Sequence, residues 1–335
     1  MTDTVTAVAP ANIAFVKYWG IRDEAEVLPA NPSLSMTLSR CVSRCTVGLL
    51  GADAGADEIW WRGADGETGP APRPVAEGIR AQLRRLRGAE GPALRVVTGN
   101  TFPTAAGIAS SASGFTALTL AVTTLLEGEP DPGRLSVLSR LSGSGSAARS
   151  ALGGYVRWPG GPDTPAGPAV QVAPADHFRL CDVIAVVDDG PKATSSREGH
   201  RRALTSPYFA RRLELLPERI RTVERALWDR DFAAFAEAVE TEAVDLHLIA
   251  MSATPPTFYW QPGTLAVLAA VRALRDRGVA ACATIDAGPN VHVLTVPEHA
   301  EEVRRAVAAV PGVRHTIADE AGYGPYLCDD HLTPP

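Results

Sequence analysis

The chain is expected to fold as an α+β protein of two lobes, on three observations. Short β-branched runs alternate with helical-period stretches along its length. Its 335 residues, 45% hydrophobic and 21% charged, are enough to bury two modest cores. A turn-rich segment, Asp188-Asp189-Gly190-Pro191, follows a compact apolar run and divides residues 1–187 from residues 188–335.

In the first third, Cys45–Leu50, Glu58–Arg62 and Leu94–Thr98 are β-branched or aromatic runs bounded by Gly, Asp or Pro, and read as strands of a mixed sheet. From Gly107 the period changes. Ala112, Phe115, Leu118, Ala121, Val122 and Leu125 recur at helical spacing until Gly128, which predicts a long buried helix. A short helix around Arg134–Leu141 leads into the Ser/Gly stretch Ser142–Ser146, a strand at Gly153–Trp158 and a surface loop at Pro159–Pro168. Asp182–Val187 is the apolar strand before the division. Beyond it, Leu216, Ile220, Val223 and Leu227 share one helical face, as do Phe232, Phe235, Val239 and Leu246. Leu265–Arg277 reads as a helix stopped by Gly278, Ala280–Ile285 and Val291–Val296 as strands, and Ala300–Val310 as a last amphipathic helix.

The formal net charge of -6 argues against a nucleic acid or an anionic membrane as partner, so the expected ligand is small. No apolar run approaches the roughly 20 residues that span a bilayer, and Met1-Thr2-Asp3-Thr4 lacks the basic start of a signal peptide, which predicts a cytoplasmic chain. The five cysteines are scattered, with no C-x-x-C pair, so neither a disulfide framework nor a zinc site is expected.

Four segments carry chemistry. Pro103–Gly114 is a small-residue run opening into the long helix, where close backbone approach and free amides favour phosphate; tight packing on a sheet is the alternative. It lacks the Lys and spacing of a Walker loop. Gly143–Ser150 adds flexible backbone, hydroxyls and Arg149, which suits a carboxylate or phosphate, or else a plain loop with a capping serine. Asp286 follows an apolar run and precedes Gly288-Pro289, a placement suited to a catalytic base or to an Asx-turn cap. Lys17, between Val16 and Tyr18, needs an anionic partner if buried, and otherwise snorkels to water.

In this order the segments resemble the diphosphomevalonate decarboxylase family of the GHMP kinase superfamily. The resemblance rests on Lys17-Tyr18-Trp19-Gly20, Ser33-Leu34-Ser35, Phe102–Phe115, Gly143–Ser146 with Arg149, Ser195-Ser196 and Asp286–Asn290, and runs along nearly the whole chain. It implies a GHMP kinase fold, two lobes around a deep cleft, that phosphorylates the 3-hydroxyl of a small 3-hydroxy acid and then eliminates phosphate and CO2. It implies Asp286 and Lys17 as catalytic residues. It further implies that Pro103, Ala106, Gly107, Ala109, Ser110, Ser111 and Ser113 hold ATP, with Mg²⁺ carried mainly by its phosphates. Asn12, Tyr18, Ser144, Gly145, Ser146, Arg149, Arg197 and His200 would meet the substrate, and a homodimer is the family expectation. Four positions depart from the pattern: Ile21 and Leu141-Ser142 stand where the family has basic residues, and His200 stands where it has Met. Arg22, His200 and Arg201 are the candidates to compensate. The implied substrate is therefore diphosphomevalonate or a 3-hydroxy acid with a monophosphate, a phosphonate or no phosphate. A 3-kinase that stops before decarboxylation and a non-catalytic ATP-binding protein are the rival functions.

Overall fold

The computed structural model describes residues 4–51, 54–103, 108–162, 164–165, 167–190 and 194–334. Two sheets organise it. The first is built on two long antiparallel strands, β1 (Thr4–Val16) and β4 (Ser33–Leu49), with the small ribbon β2 (Ile21–Asp23) and β3 (Leu28–Pro29) between them in sequence. Strands β5 (Glu58–Arg62), β6 (Thr68–Pro70) and β7 (Leu94–Asn100) extend it on one side of β4, and β8 (Tyr155–Trp158) and β9 (Val170–Ala173) branch from the other end of β4. The second sheet comprises β10 (Cys181–Val186), β11 (Ala281–Thr284), β12 (Val291–Thr295) and β13 (His315–Glu320), in the antiparallel order β11-β12-β10-β13. The last strand, β14 (Tyr326–Cys328), returns to pair with β1. Strand β10 ends just before the 187/188 division read from the sequence, and both of its ladder partners lie in the second sheet.

Helix α1 (Arg73–Arg87) and the long α2 (Ser110–Glu127) cover the first sheet. Buried threonines punctuate α2, and Thr116 and Thr123 satisfy their hydroxyls on the carbonyls of Ala112 (2.9 Å) and Thr119 (2.7 Å). Short helices α3 (Pro132–Arg140) and α4 (Ala147–Ser150) follow, and α5 (Ser196–Ala203) contributes residues to the lining of a cleft. Helices α6 (Phe209–Asp229) and α7 (Phe232–Ser252) pack between the sheets, whereas α8 (Pro262–Asp276) and α9 (Ala300–Ala308) cover the outer face of the second.

The core between the sheets belongs to neither lobe alone. Ile13 and Phe15 of β1, Leu34 and Met36 of β4, Ile184 of β10 and Leu294 of β12 meet Leu216, Ile220, Phe235 and Val239 of the paired helices in one buried cluster. Phe235 stands edge-on to Phe15 at 4.8 Å. Asp319 of β13 adds a polar clamp, its carboxylate accepting from the amides of Ser39, Arg40 and Cys41 at 2.7–2.9 Å. This shared packing fixes β1 and β11 relative to each other, and both end at the cleft.

Candidate active site

Strand β1 is buried along nearly its whole length, and its pairing with β4 shifts register between Pro10 and Asn12 and again between Ala14 and Val16. Such irregularities bend a strand and re-aim the residue that follows. Lys17 leaves the strand here and lines a cleft of about 440 Å³. Its ammonium donates to Asp286 Oδ1 at 2.6 Å and to the Ala14 carbonyl at 2.7 Å. Both backbone groups of Lys17 are also held: its amide donates to Glu242 at 3.1 Å, and its carbonyl accepts from Asn31 (2.8 Å) and Arg212 (3.0 Å).

Asp286 arrives from β11 on a turn tied down from two directions. Asn290 accepts from the amides of Val187 (2.7 Å) and Asp188 (2.9 Å), and Thr264 donates to the Pro289 carbonyl at 2.6 Å. The carboxylate is an ion-pair partner here rather than a local cap. The Lys17 side chain is 1% exposed and that of Asp286 25% exposed, so the pair closes the cleft floor with its acid half turned to the opening. Burial pushes the Asp286 carboxyl up, but the charge and hydrogen bond of Lys17 outweigh it and hold the group below its ordinary value. Burial acts on Lys17 in the other direction and lowers it, against the opposing pull of Asp286. An ionised carboxylate with an open edge, beside a fixed cation, can accept a proton from an alcohol.

Arg149 is the second buried cation. Its guanidinium donates to Ser35 (3.0 Å), Ser33 (2.5 Å) and Asn12 (3.1 Å), all neutral, and burial lowers it to about 10. No described carboxylate forms a salt bridge with it, and it lines the cleft, so its charge is available to an anion there. Asn12 stands behind it, donating to Ser150 at 2.8 Å, and works on the cleft through Arg149 rather than by lining it. Tyr18, Ser144, Gly145, Ser146, Arg197 and His200 all line the cleft. A Cβ on Gly145 would fall 2.5 Å from the Tyr18 ring, so only glycine admits that approach.

Across the cleft, α2 begins at Ala109, which has φ +47 and contributes no side-chain cap. The first amides of the helix are thereby left for a ligand, and the Ser111 and Ser144 hydroxyls meet at 3.1 Å beside them. Ala109, Ser110 and Ser111 line the cleft. Ser113 does not: it is buried against Ser43 at 2.7 Å and braces the helix on β4. Pro103 precedes the helix outside the cleft lining, and Ala106 and Gly107 lie outside the described residues. A second hollow of about 280 Å³, mostly apolar and lined by Trp61, Val75, Ile79, Phe115 and Leu118, shares Ser110 and Ser111 with the cleft. A stacked heterocycle with its phosphates at the α2 terminus fits this pair of hollows.

Of the departing positions Ile21 and Leu141-Ser142, Ile21 and Ser142 line the cleft and Leu141 does not. Two of the three candidate compensators do not reach it. Arg22 donates to the carbonyls of Pro162 and Thr164, and Arg201 forks Glu24 at 2.7–2.9 Å, because each has a partner outside the cleft. Sequence reading also passed over Glu242, the fully buried acid that binds Arg212 and Arg219 and holds the Lys17 amide. Its signal was present: a glutamate in the apolar stripe of α7, between Val239 and Leu246.

Comparison with known proteins gives the same picture along the whole chain. The Diphosphomevalonate decarboxylase-like N-terminal domain matches residues 9–167, and the Mevalonate 5-diphosphate decarboxylase C-terminal domain matches residues 182–323. The diphosphomevalonate decarboxylase of Candida albicans is 34% identical over 98% of this chain and 99% of its own. The human one is 32% identical over 99% and 96%. The mevalonate diphosphate decarboxylase of Staphylococcus aureus superposes with TM-score 0.88 at 29% identity, covering 98% and 99% of the two chains. A solved complex of MDDEF with MVAPP, AMPPCP and magnesium superposes with TM-score 0.85 at 32% identity, over 97% and 98%.

Proposed function

Because the chain belongs to the diphosphomevalonate decarboxylase family, we propose that it converts diphosphomevalonate to isopentenyl diphosphate, with ATP and Mg²⁺, as an ATP-dependent carboxy-lyase. The observation that carries this reading is the 2.6 Å contact between Lys17 and Asp286 at the cleft floor, opposite the α2 terminus. Asp286 takes the proton of the 3-hydroxyl as its oxygen attacks the terminal phosphorus of ATP, and ADP leaves. The C–O bond then breaks and phosphate departs with its electron pair. The electrons of the C–COO⁻ bond close the alkene, and CO2 is released.

Lys17 holds Asp286 and offsets charge that builds on the transferring phosphoryl group, a role of position and electrostatics. Arg149, which forms no salt bridge with a described carboxylate, orients the substrate carboxylate. Ser110 and Ser111 with the α2 amides hold the nucleotide phosphates, and the apolar hollow takes the base. Mg²⁺, when bound with ATP, screens the phosphates. Membership also leads us to propose a cytoplasmic homodimer, checked by sedimentation velocity; no described helix is long and apolar enough to cross a membrane.

Product analysis tests the reaction. Incubated with ATP, Mg²⁺ and diphosphomevalonate, the protein is expected to release ADP and CO2 one to one. ADP without CO2 would make it a 3-kinase, and neither product would remove the enzymatic reading.

A further inference from the structure

The surroundings of His200 define its chemistry closely. It sits on α5 one turn after Arg197, and both line the cleft. Its ring packs between Tyr18 (4.2 Å between centroids) and Trp19 (4.7 Å). Its Nδ1 accepts a hydrogen bond from the Gly20 amide at 3.0 Å. Gly20 has φ +96, a left-handed conformation in which its amide is offered to the ring. An amide can donate only to an unprotonated nitrogen, so the proton of the neutral imidazole is on Nε2. Protonating Nδ1 would orphan a buried amide, and the charges of Arg212 and Arg149 act in the same direction after burial itself.

Resting on the reading above, we propose that His200 is a specificity-determining residue, its uncharged Nε2–H donating to the phosphate group attached to the carbon chain of the substrate. Three observations place the contact there. The catalytic pair and Arg149 occupy the cleft floor, where the hydroxyl and carboxylate belong. His200 shares α5 with Arg197, whose Nη2 among the described residues reaches only the Gly143 carbonyl at 3.4 Å, leaving donors for an anionic tail. Ile21, beside them, offers no charge. A neutral donor with a fixed proton strengthens binding of the first phosphate without adding attraction for a second. His200 thus serves a phosphate monoester and a diphosphate of the same 3-hydroxy acid alike.

Calorimetric dissociation constants separate the contact from a packing role. Mevalonate, its 5-phosphate and its 5-diphosphate are each titrated into the wild-type chain, His200→Met and His200→Gln. Met fills the space without a donor; Gln keeps one acceptor and one donor. The expected result is that His200→Met weakens both phosphorylated ligands by roughly tenfold or more, equally, and leaves mevalonate unchanged. His200→Gln should recover most of the loss. Equal weakening of all three ligands, no weakening of any, or a loss confined to the diphosphate would each overturn the proposal. If His200→Met lowers the melting temperature, the Gln variant and the flat response to mevalonate still decide. Failure of the proposed reaction appears separately, as absence of ADP and CO2 from the wild-type chain.

Discussion

A lysine ammonium at 1% exposure is stable only with a partner, and Lys17 has two: the Ala14 carbonyl and the Asp286 carboxylate. The same pairing that makes its burial tolerable lowers the Asp286 carboxyl and keeps it ionised. Two buried histidines near this pair have the opposite relation to charge. Burial, then the cations around them, lowers His200 and His247 from 6.5 to about 3. In the unfolded chain each takes a proton below about 6.5, and in the folded chain it does not. Their contribution is therefore fully present above 6.5 and is lost as pH falls from there toward 3, by about 1.4 kcal/mol each at pH 5.5. Urea unfolding at pH 7.5 and 5.5 checks this. The loss between the two pH values should shrink by about 1.4 kcal/mol in His247→Gln, and an unchanged loss would contradict the assignment.

At the scale of elements, α7 does more than cover a sheet. Glu242 accepts from Arg212 and Arg219 of α6 and from the Lys17 amide, so one buried carboxylate joins two helices to the end of β1. Removing it leaves the buried Arg212 guanidinium with no carboxylate partner among the described residues, while Arg219 keeps Asp245. Glu242→Ala is expected to lower unfolding free energy by about 3–5 kcal/mol, read from denaturant midpoints. A change below 1 kcal/mol would show that the hub is not structural. The periodic helices α2, α6, α7 and α8 were legible in the sequence because their apolar faces repeat at helical spacing. Helix α1 was not singled out, because Pro72-Arg73-Pro74 and its many arginines mask a stripe of Ala76, Ile79 and Leu83. Strand β13 escaped for a related reason: an edge strand reading His-Thr-Ile-Ala-Asp-Glu has little apolar alternation.

At the scale of the molecule, the residues proposed to carry the chemistry were legible but their neighbours were not. Lys17, Arg149 and Asp286 stood out as ionisable groups in apolar or small-residue surroundings, whereas the outward partners of the candidate compensators Arg22 and Arg201 came into view only in the fold. Which sheet β10 joins was equally hidden, since its ladder partners lie more than a hundred residues along the chain. The shared core between the sheets then does what spacing cannot express, holding a lysine from residue 17 against an aspartate from residue 286. Turnover of Asp286→Asn tests that convergence most directly, because the amide keeps the shape and loses the base. With diphosphomevalonate, ATP and Mg²⁺, kcat is expected to fall by about 10²–10⁴ with little change in KM. Wild-type kcat in this variant would contradict the role given to the pair.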